Sequence, residues 1–452
     1  MRAAATQRAD AFSGVGRFMT AVMLPRPTAP PGTIDGERIV RDTLFLATFL
    51  LTWITVSPFT DLSDPHPAGS SLQGDVVSQA ATLLLTGALA AFAIVKRTSL
   101  VFRVATPLLV LTLSWFAWSA VLSPFADIAL RRVVLAALTI FQASVFILLP
   151  YGREHFARLL AVSALVVLAV CYFGVVFLPK VSIHQATEIL EPEHAGSWRG
   201  PFPHKNGAGA AMAVLIFIGI FVSRAWNAVA GGLIIVFAST FLLFTHAKSP
   251  LYLLPVVILV THFIPRVRSS FLILVLVLGL PVAINLMTVG SVVFEPVGGL
   301  VQRLLPDPTY TGRDEIWQFA LDSIAKRPLL GYGFEAFWET PELLTAWNSK
   351  ESWAHLATNA HNSYLDLAVT TGIVGLVLAS AWVIFRPFID FRRGRAVGAD
   401  TALAALFLQI WVFQLYLSAF ETSLFTTRNA LWFMMLVSII GLRFQSIAAS
   451  RE

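Results

Sequence analysis

The sequence predicts an all-α, polytopic membrane helix bundle, and three features carry that prediction. Of the 452 residues, 56% are hydrophobic and 13% charged, against about 25% charged in an average soluble domain. The apolar residues fall in runs long enough to cross a bilayer, which takes roughly 20 residues per helix. One long interval, 308–375, interrupts those runs with polar and aromatic residues. The mean hydropathy of +0.74 is more apolar surface than a water-soluble chain of this size can hide.

In chain order, residues 1–41 read as a cytoplasmic tail. The first 38 are rich in Arg, Ala and Pro and lack the apolar core of a cleaved signal peptide. About twelve spans follow by the hydropathy criterion. They lie near 42–58, 76–95, 104–122, 132–150, 156–178, 207–223, 227–245, 250–264, 270–289, 364–386, 400–420 and 427–444. Spans one to nine thus occupy 42–289 and spans ten to twelve 364–444, with a large loop over 290–363 and a cytoplasmic end at 445–452. The lone cysteine, Cys171, excludes an intrachain disulfide and a cysteine metal cluster. The net charge of +6 marks cytoplasmic loops and anionic headgroups in such a protein, and does not argue for nucleic acid.

Basic residues set the orientation. With the N-terminus inside, the cytoplasmic face receives Arg38, Arg41, Lys96, Arg97, Arg103, Arg153, Arg158, Arg224, Arg266, Arg268 and the run RPFIDFRRGR after the tenth span. The bias predicts both termini inside and the 290–363 loop outside, carrying amphipathic helices. Arg199, Lys205 and Lys248 fall on the outer face against that bias. Taken singly, each reads equally well as a headgroup contact or a snorkelling side chain. Together on one face they suggest a bound anion.

Four outer segments carry candidate chemistry. In the first, Trp198-Arg199-Gly200-Pro201-Phe202 is a turn with an exposed arginine, and Asn206 reads as the N-cap of the next span. Helix N-termini attract anions, so Arg199 and Lys205 there suit a phosphate or diphosphate. The plain alternative is an interfacial loop anchored by Trp and Phe. In the second, a tight turn over 245–250, Lys248 reads first as a solvated lysine and otherwise as added charge for the same site. The third is the long loop. Thr311 reads as an N-cap, and Ile316, Trp317, Phe319, Ala320 and Ile324 recur at helical spacing up to Pro328. The aromatics that follow, Tyr332, Phe334, Phe337 and Trp338, read as packing anchors or as sugar-stacking surfaces. In the fourth, His361 stands where the loop enters the tenth span. A histidine there reads first as structural and second as a general base on a hydroxyl. Gly372 and Gly375 read as close-packing positions.

Taken together, these segments resemble the O-antigen ligase and Wzy-type polymerase superfamily of bacterial membrane glycosyltransferases. The resemblance runs from about Trp198 to Gly375. It rests on His361-Asn362 followed by Gly372 and Gly375, on Gly312-Arg313, Arg327-Pro328 and Gly331-Tyr332-Gly333 with Phe337-Trp338, and on Trp198-Arg199-Gly200 with Lys205-Asn206. The wording is most similar to exopolysaccharide polymerases of the succinoglycan type. The resemblance implies a donor glycan on undecaprenyl diphosphate, presented at the periplasmic face of the inner membrane, and an acceptor sugar hydroxyl. It implies no cofactor and no metal. It gives His361 the role of catalytic base, and Arg199, Lys248, Lys205, Arg313 and Asn362 the binding of substrate. Many relatives carry arginine where this chain has Lys248, which keeps the charge but loses the bidentate fork. Asp314, Glu315 and Glu421 are the outward carboxylates that can instead act as base or orient one.

The expected function is polymerisation of exopolysaccharide or O-antigen repeats. The alternative is a ligase acting on lipid A core, and a polyprenyl-glycan flippase ranks lower because few charges fall within the spans. Expected partners are the membrane, a lipid-linked donor, an acceptor glycan, and a chain-length regulator and flippase.

Overall fold

A computed structural model describes residues 35–63, 76–96, 98–188, 191–338, 340, 354, 357–427 and 429–448. The tail to residue 34, Arg97, His355 and Arg428 lie outside the described residues. Every one of the expected spans is a helix. In chain order they are α1 (Gly36–Ile54), α2 (Val76–Val95), α3 (Pro107–Val121), α4 (Ala126–Phe146), α5 (Arg153–Phe177) and α6 (Lys205–Ala225). Next come α7 (Ala228–Phe244), α8 (Lys248–Phe263) and α9 (Ser270–Met287). Among the described residues of the long loop, three helices follow: α10 (Val289–Val293), α11 (Glu295–Leu304) and α12 (Arg313–Lys326). The last are α13 (Ser363–Ala396), α14 (Thr401–Leu417) and α15 (Ala430–Ala448). Among the described residues the β pairing is one isolated bridge, Ile183 to Trp198. The chain is a multi-pass, all-α membrane bundle: among the described residues, eight helices are long and apolar enough to span by length and composition, and α3, α7 and α14 are shorter apolar helices.

Side-chain oxygens start several helices by accepting an otherwise orphaned N–H. Asp35 does so for α1, Thr106 for α3, Asn227 for α7, Ser269 for α9 and Asp400 for α14. Two expected caps are corrected. His204, not Asn206, caps α6, with its ring Nδ1 accepting from Asn206 N. Gly312, not Thr311, precedes α12, because a φ of 82° there makes the turn into the helix. The first span begins before residue 42 and takes in Glu37 and Arg41, whose guanidinium is satisfied by Glu37 and the carbonyls of Leu148 and Leu149.

α6 and α15 form the centre: 78% and 89% of their apolar windows are buried, against 17% for α2 and 22% for the stretch through α9. A helix that is apolar all round belongs in the middle, and the exposed apolar faces of α2, α8 and α9 suit lipid. α12 is amphipathic as expected. It buries Ile316, Trp317, Phe319 and Ala320 against Phe337, Trp338, Leu365 and Val369.

The tenth span is longer than expected and broken. Gly372 interrupts α13 with φ 71° and ψ 176°. The loop after α12 lies in the break: Ile373 N donates to Pro328 O at 2.8 Å, Tyr332 N to Val369 O at 3.0 Å and Gly333 N to Thr370 O at 2.8 Å. Trp115 Nε1 and Ser119 Oγ on α3 donate to Thr371 O and Leu330 O. The backbone groups freed by the kink are therefore paired by the loop and α3, as an apolar setting demands. The two glycines were expected to allow close helix packing. What Gly372 permits is the approach of a loop backbone.

Candidate active site

The residues with chemistry gather at one end of the bundle, where α6, α12 and α13 begin and the turn between α14 and α15 closes. His361 is the residue before the cap of α13. Its φ of 48° is a left-handed conformation uncommon outside glycine. The turn that imposes it is tied down on both sides. Trp317 Nε1 donates to Ala360 O at 3.1 Å, Ala360 N to Asp366 Oδ1 at 3.2 Å, and His361 N to Asn359 Oδ1 at 2.8 Å. Asn362 then caps α13, accepting from Tyr364 N and Leu365 N. Its amide donates to Asn285 Oδ1 at 2.7 Å. Fully buried, Asn362 holds the helix start and so fixes the backbone of its neighbour.

Glu421, in the turn after α14, joins the separate pieces. Oε2 lies 3.4 Å from His361 Nδ1, and Oε1 accepts from Asn206 Nδ2 at 2.9 Å and Arg313 Nη2 at 3.3 Å. Arg313 Nη1 also donates to Phe420 O at 2.8 Å. Ser363 anchors the same turn, donating to Glu421 O and accepting from Ser423 N. Burial alone would raise the Glu421 carboxyl, but Arg313 and His361 outweigh it and hold the pKa at about 2. An ionised Glu421 favours the tautomer with the proton on His361 Nδ1. That leaves the Nε2 lone pair as the acceptor for a substrate proton.

A second polar group borders the first. The His204 ring that caps α6 sets Nε2 at 2.8 Å from Glu191 Oε2, and His194 Nε2 lies 3.9 Å from the same oxygen. Burial would raise the Glu191 carboxyl too, and the close approach and charge of His204 bring it down to about 2, with His194 and His361 contributing. Ligand atoms of Glu191, His194 and His204 lie within 4.8 Å of one another, close enough for one cation. The expectation of no metal gave this trio no role. Nδ1 of His204 accepts from Asn206 N at 3.1 Å, so in the neutral ring the proton is on Nε2, which faces Glu191 Oε2 but makes no hydrogen bond of proper geometry among the described residues.

The remaining expected residues divide. Lys205 and Lys248 begin α6 and α8, and Lys205 is within electrostatic reach of Glu191 and Lys248. Arg313 is in the His361 group. Arg199 is not exposed, as the turn suggested, but 1% accessible. Nη2 donates to Thr60 O at 2.6 Å and Nη1 to Phe202 O at 3.1 Å, while Nε has no hydrogen-bond partner among the described residues. The hydrogen bonds of Arg199 tie its own loop to the segment after α1 and do not reach the His361 group. Glu191, His194, His204 and Asn285 receive no role from sequence reasoning. The one available signal was their polarity at span ends.

Residues 233–380 match the family model described as O-Antigen ligase, Wzy_C. The match takes in Lys248, Arg313, His361, Asn362 and the kink at Gly372. Over 225 residues the chain is 26% identical to "Exopolysaccharide production protein ExoQ" of Rhizobium meliloti (strain 1021), covering 47% of this chain and 51% of that protein. Over 110 residues it is 30% identical to a "Putative polysaccharide ligase" of Rickettsia felis (strain ATCC VR-1525 / URRWXCal2), covering 22% of this chain and 26% of the other. A similar stretch is 31% identical to "Putative polysaccharide ligase RC0486" of Rickettsia conorii (strain ATCC VR-613 / Malish 7). The chain therefore aligns with about half the length of the first relative and a quarter of the other two.

Proposed function

Taking the chain as a member of the O-antigen ligase and Wzy-type superfamily, we propose that it is a bacterial inner-membrane glycosyltransferase that polymerises polysaccharide repeats at the periplasmic face. The donor is a glycan on undecaprenyl diphosphate and the acceptor is a hydroxyl of a second glycan. The observation that carries this reading is the meeting of His361, Glu421 and Arg313 at the mouths of α6, α12 and α13, beside Lys205.

In the proposed reaction His361 Nε2 removes the proton of the acceptor hydroxyl. The oxygen attacks the anomeric carbon of the donor sugar, and the bond from that carbon to the diphosphate oxygen breaks. Glu421 orients the imidazole and stabilises the imidazolium that forms. Lys205, Lys248 and Arg313 balance the charge left on the lipid diphosphate, where fixed cations act most strongly in a partly dehydrated site. Arg199 and Asn362 support by holding the loop and the helix start. The similarity to ExoQ, named for exopolysaccharide production, favours polymerase. The two Rickettsia relatives, named as polysaccharide ligases, favour the alternative, transfer of finished polymer to lipid A core.

The test is His361→Ala in the producing strain. Polymer is expected to vanish while lipid-linked repeats accumulate and membrane levels of the protein hold. Normal polymer from that variant would sink the assignment of the base. Polymer still made but no longer joined to lipid A core would establish the ligase.

A further inference from the structure

A cavity of about 230 Å³ lies next to the His361 turn, between α4, the 334–338 turn and the segment after Glu421. None of Lys205, Lys248 and Arg313 lines it. Its walls include Asn359, two residues before His361, and Thr422, the residue after Glu421. The charged groups in its wall are Arg132, Glu335 and Asp366, an excess of one carboxylate. With one guanidinium against two carboxyls, the wall offers a diphosphate no cluster of cations and suits a hydroxyl-rich, uncharged ring.

The polar groups have capacity left for a ligand. Glu335, at φ 51°, accepts from Thr427 N at 2.9 Å on Oε1 and from Thr427 Oγ1 at 2.8 Å on Oε2, with Arg132 Nη1 3.6 Å from Oε2. Oε1 keeps a further lone pair, while Oε2 faces both Thr427 and Arg132. On Asp366 the bonds from Trp338 Nε1 at 2.6 Å and Ala360 N at 3.2 Å both land on Oδ1. Thr422 sits beside Asp366, but its hydroxyl is buried and makes no hydrogen bond of proper geometry among the described residues. Trp338 adds an aromatic wall. Carboxylates, hydroxyls and one indole around a space the size of a single ring are the chemistry that holds a sugar.

We propose that this cavity is the acceptor subsite, binding one uncharged pyranose of the acceptor glycan so that a hydroxyl faces His361. The assignment of the acceptor rests on the proposed transferase reading; binding of a pyranose does not. The lipid diphosphate is held on the other side of the His361 turn by Lys205, Lys248 and Arg313.

The test is cysteine protection on the purified full-length protein in detergent. Cys171, the natural cysteine, is buried, so a Thr358→Cys variant, at an exposed residue of the cavity wall, reports the cavity alone. Methanethiosulfonate labelling is followed with methyl glucoside, methyl galactoside and methyl mannoside as probes, and with undecaprenyl diphosphate as the contrast. At least one glycoside is expected to slow labelling about fivefold when present at roughly four times its Kd, while undecaprenyl diphosphate does not. Adding Glu335→Gln is expected to remove the protection while leaving the unprotected labelling rate and the elution profile unchanged. No labelling, no protection by any glycoside, protection equally strong from undecaprenyl diphosphate, or protection that survives Glu335→Gln each overturns the subsite. His361→Ala separates the two readings: loss of polymer without glycoside protection leaves the transferase and removes the subsite. Protection with normal polymer leaves a sugar site and removes the base.

Discussion

Replacing Gly372 by alanine should damage the protein far more than a single methyl group suggests. The position has φ 71° and ψ 176°, a region essentially restricted to glycine, where another residue costs roughly 1–3 kcal/mol. A Cβ there would lie 1.9 Å from Leu329 O and 2.2 Å from Leu329 C. Both atoms are backbone, so the loop itself must withdraw. Withdrawal breaks the bonds from Ile373 N, Tyr332 N and Gly333 N, each contributing about 0.5–1.5 kcal/mol. The sum is on the order of 3–7 kcal/mol, at the upper end of single-substitution effects. The loop also carries Glu335 and Trp338, so activity should fall with the fold. Thermal unfolding of the detergent-solubilised protein, followed by fluorescence-detected size exclusion, measures the loss. Gly232→Ala is the control, since its Cβ would meet nothing within 4 Å and alanine gains up to about 1 kcal/mol in a helix. If Gly372→Ala unfolds at the wild-type temperature, the kink is not a fixed feature and the role given to this glycine is wrong.

Glu421→Gln keeps the shape of the side chain and removes the charge that Arg313 and His361 answer. Turnover should drop about 10²–10⁴-fold, as expected when a general base loses its orienting carboxylate, with little change in donor KM; an unaltered rate would show that Glu421 does not orient His361. The Glu421 carboxyl sits at about 2 rather than 4.5, so its contribution is complete above pH 4.5 and fades as pH falls toward 2. At about 1.4 kcal/mol per unit, some 3 kcal/mol of stability is at stake. Wild type should therefore lose more stability between those pH values than Glu421→Gln, and parallel pH curves of Tm would contradict the linkage. Arg199→Ala leaves the Thr60 and Phe202 carbonyls without their donors, and bonds from a charged donor contribute about 1.5–3 kcal/mol each. It should lower Tm clearly, whereas a residue that only binds the diphosphate would raise donor KM at constant Tm. Lys248→Ala should show that second pattern, and an unchanged donor KM would remove Lys248 from the diphosphate site.

The helices were legible because each span must meet the same condition along its own length. Apolar faces must cover a bilayer or a neighbour, and hydropathy reads that directly from Val76–Val95 or Ala430–Ala448. The same condition narrowed the site: charged side chains gather near span ends and in loops, so His361, Lys205, Lys248 and Arg313 were already among a small set. What the sequence could not show is which ends meet. Glu421 stands 60 residues from His361, and only the closure of α14 and α15 around the start of α13, tied by Ser363, brings the two together. Arg199 was misread for the same reason, since the carbonyl that buries it, Thr60 O, is 139 residues away. Gly372 was visible as a motif, but its cause lies in the loop at Leu329 that presses into the break. His204 was hidden differently, because a histidine ring can cap a helix as an asparagine would and nothing in its neighbours announces it. A polar residue at a span end is thus a candidate on its own sequence, and its partner is a property of the bundle. The substitutions that separate these are the ones that leave the helix intact and remove the distant contact, as Glu421→Gln and Arg199→Ala do.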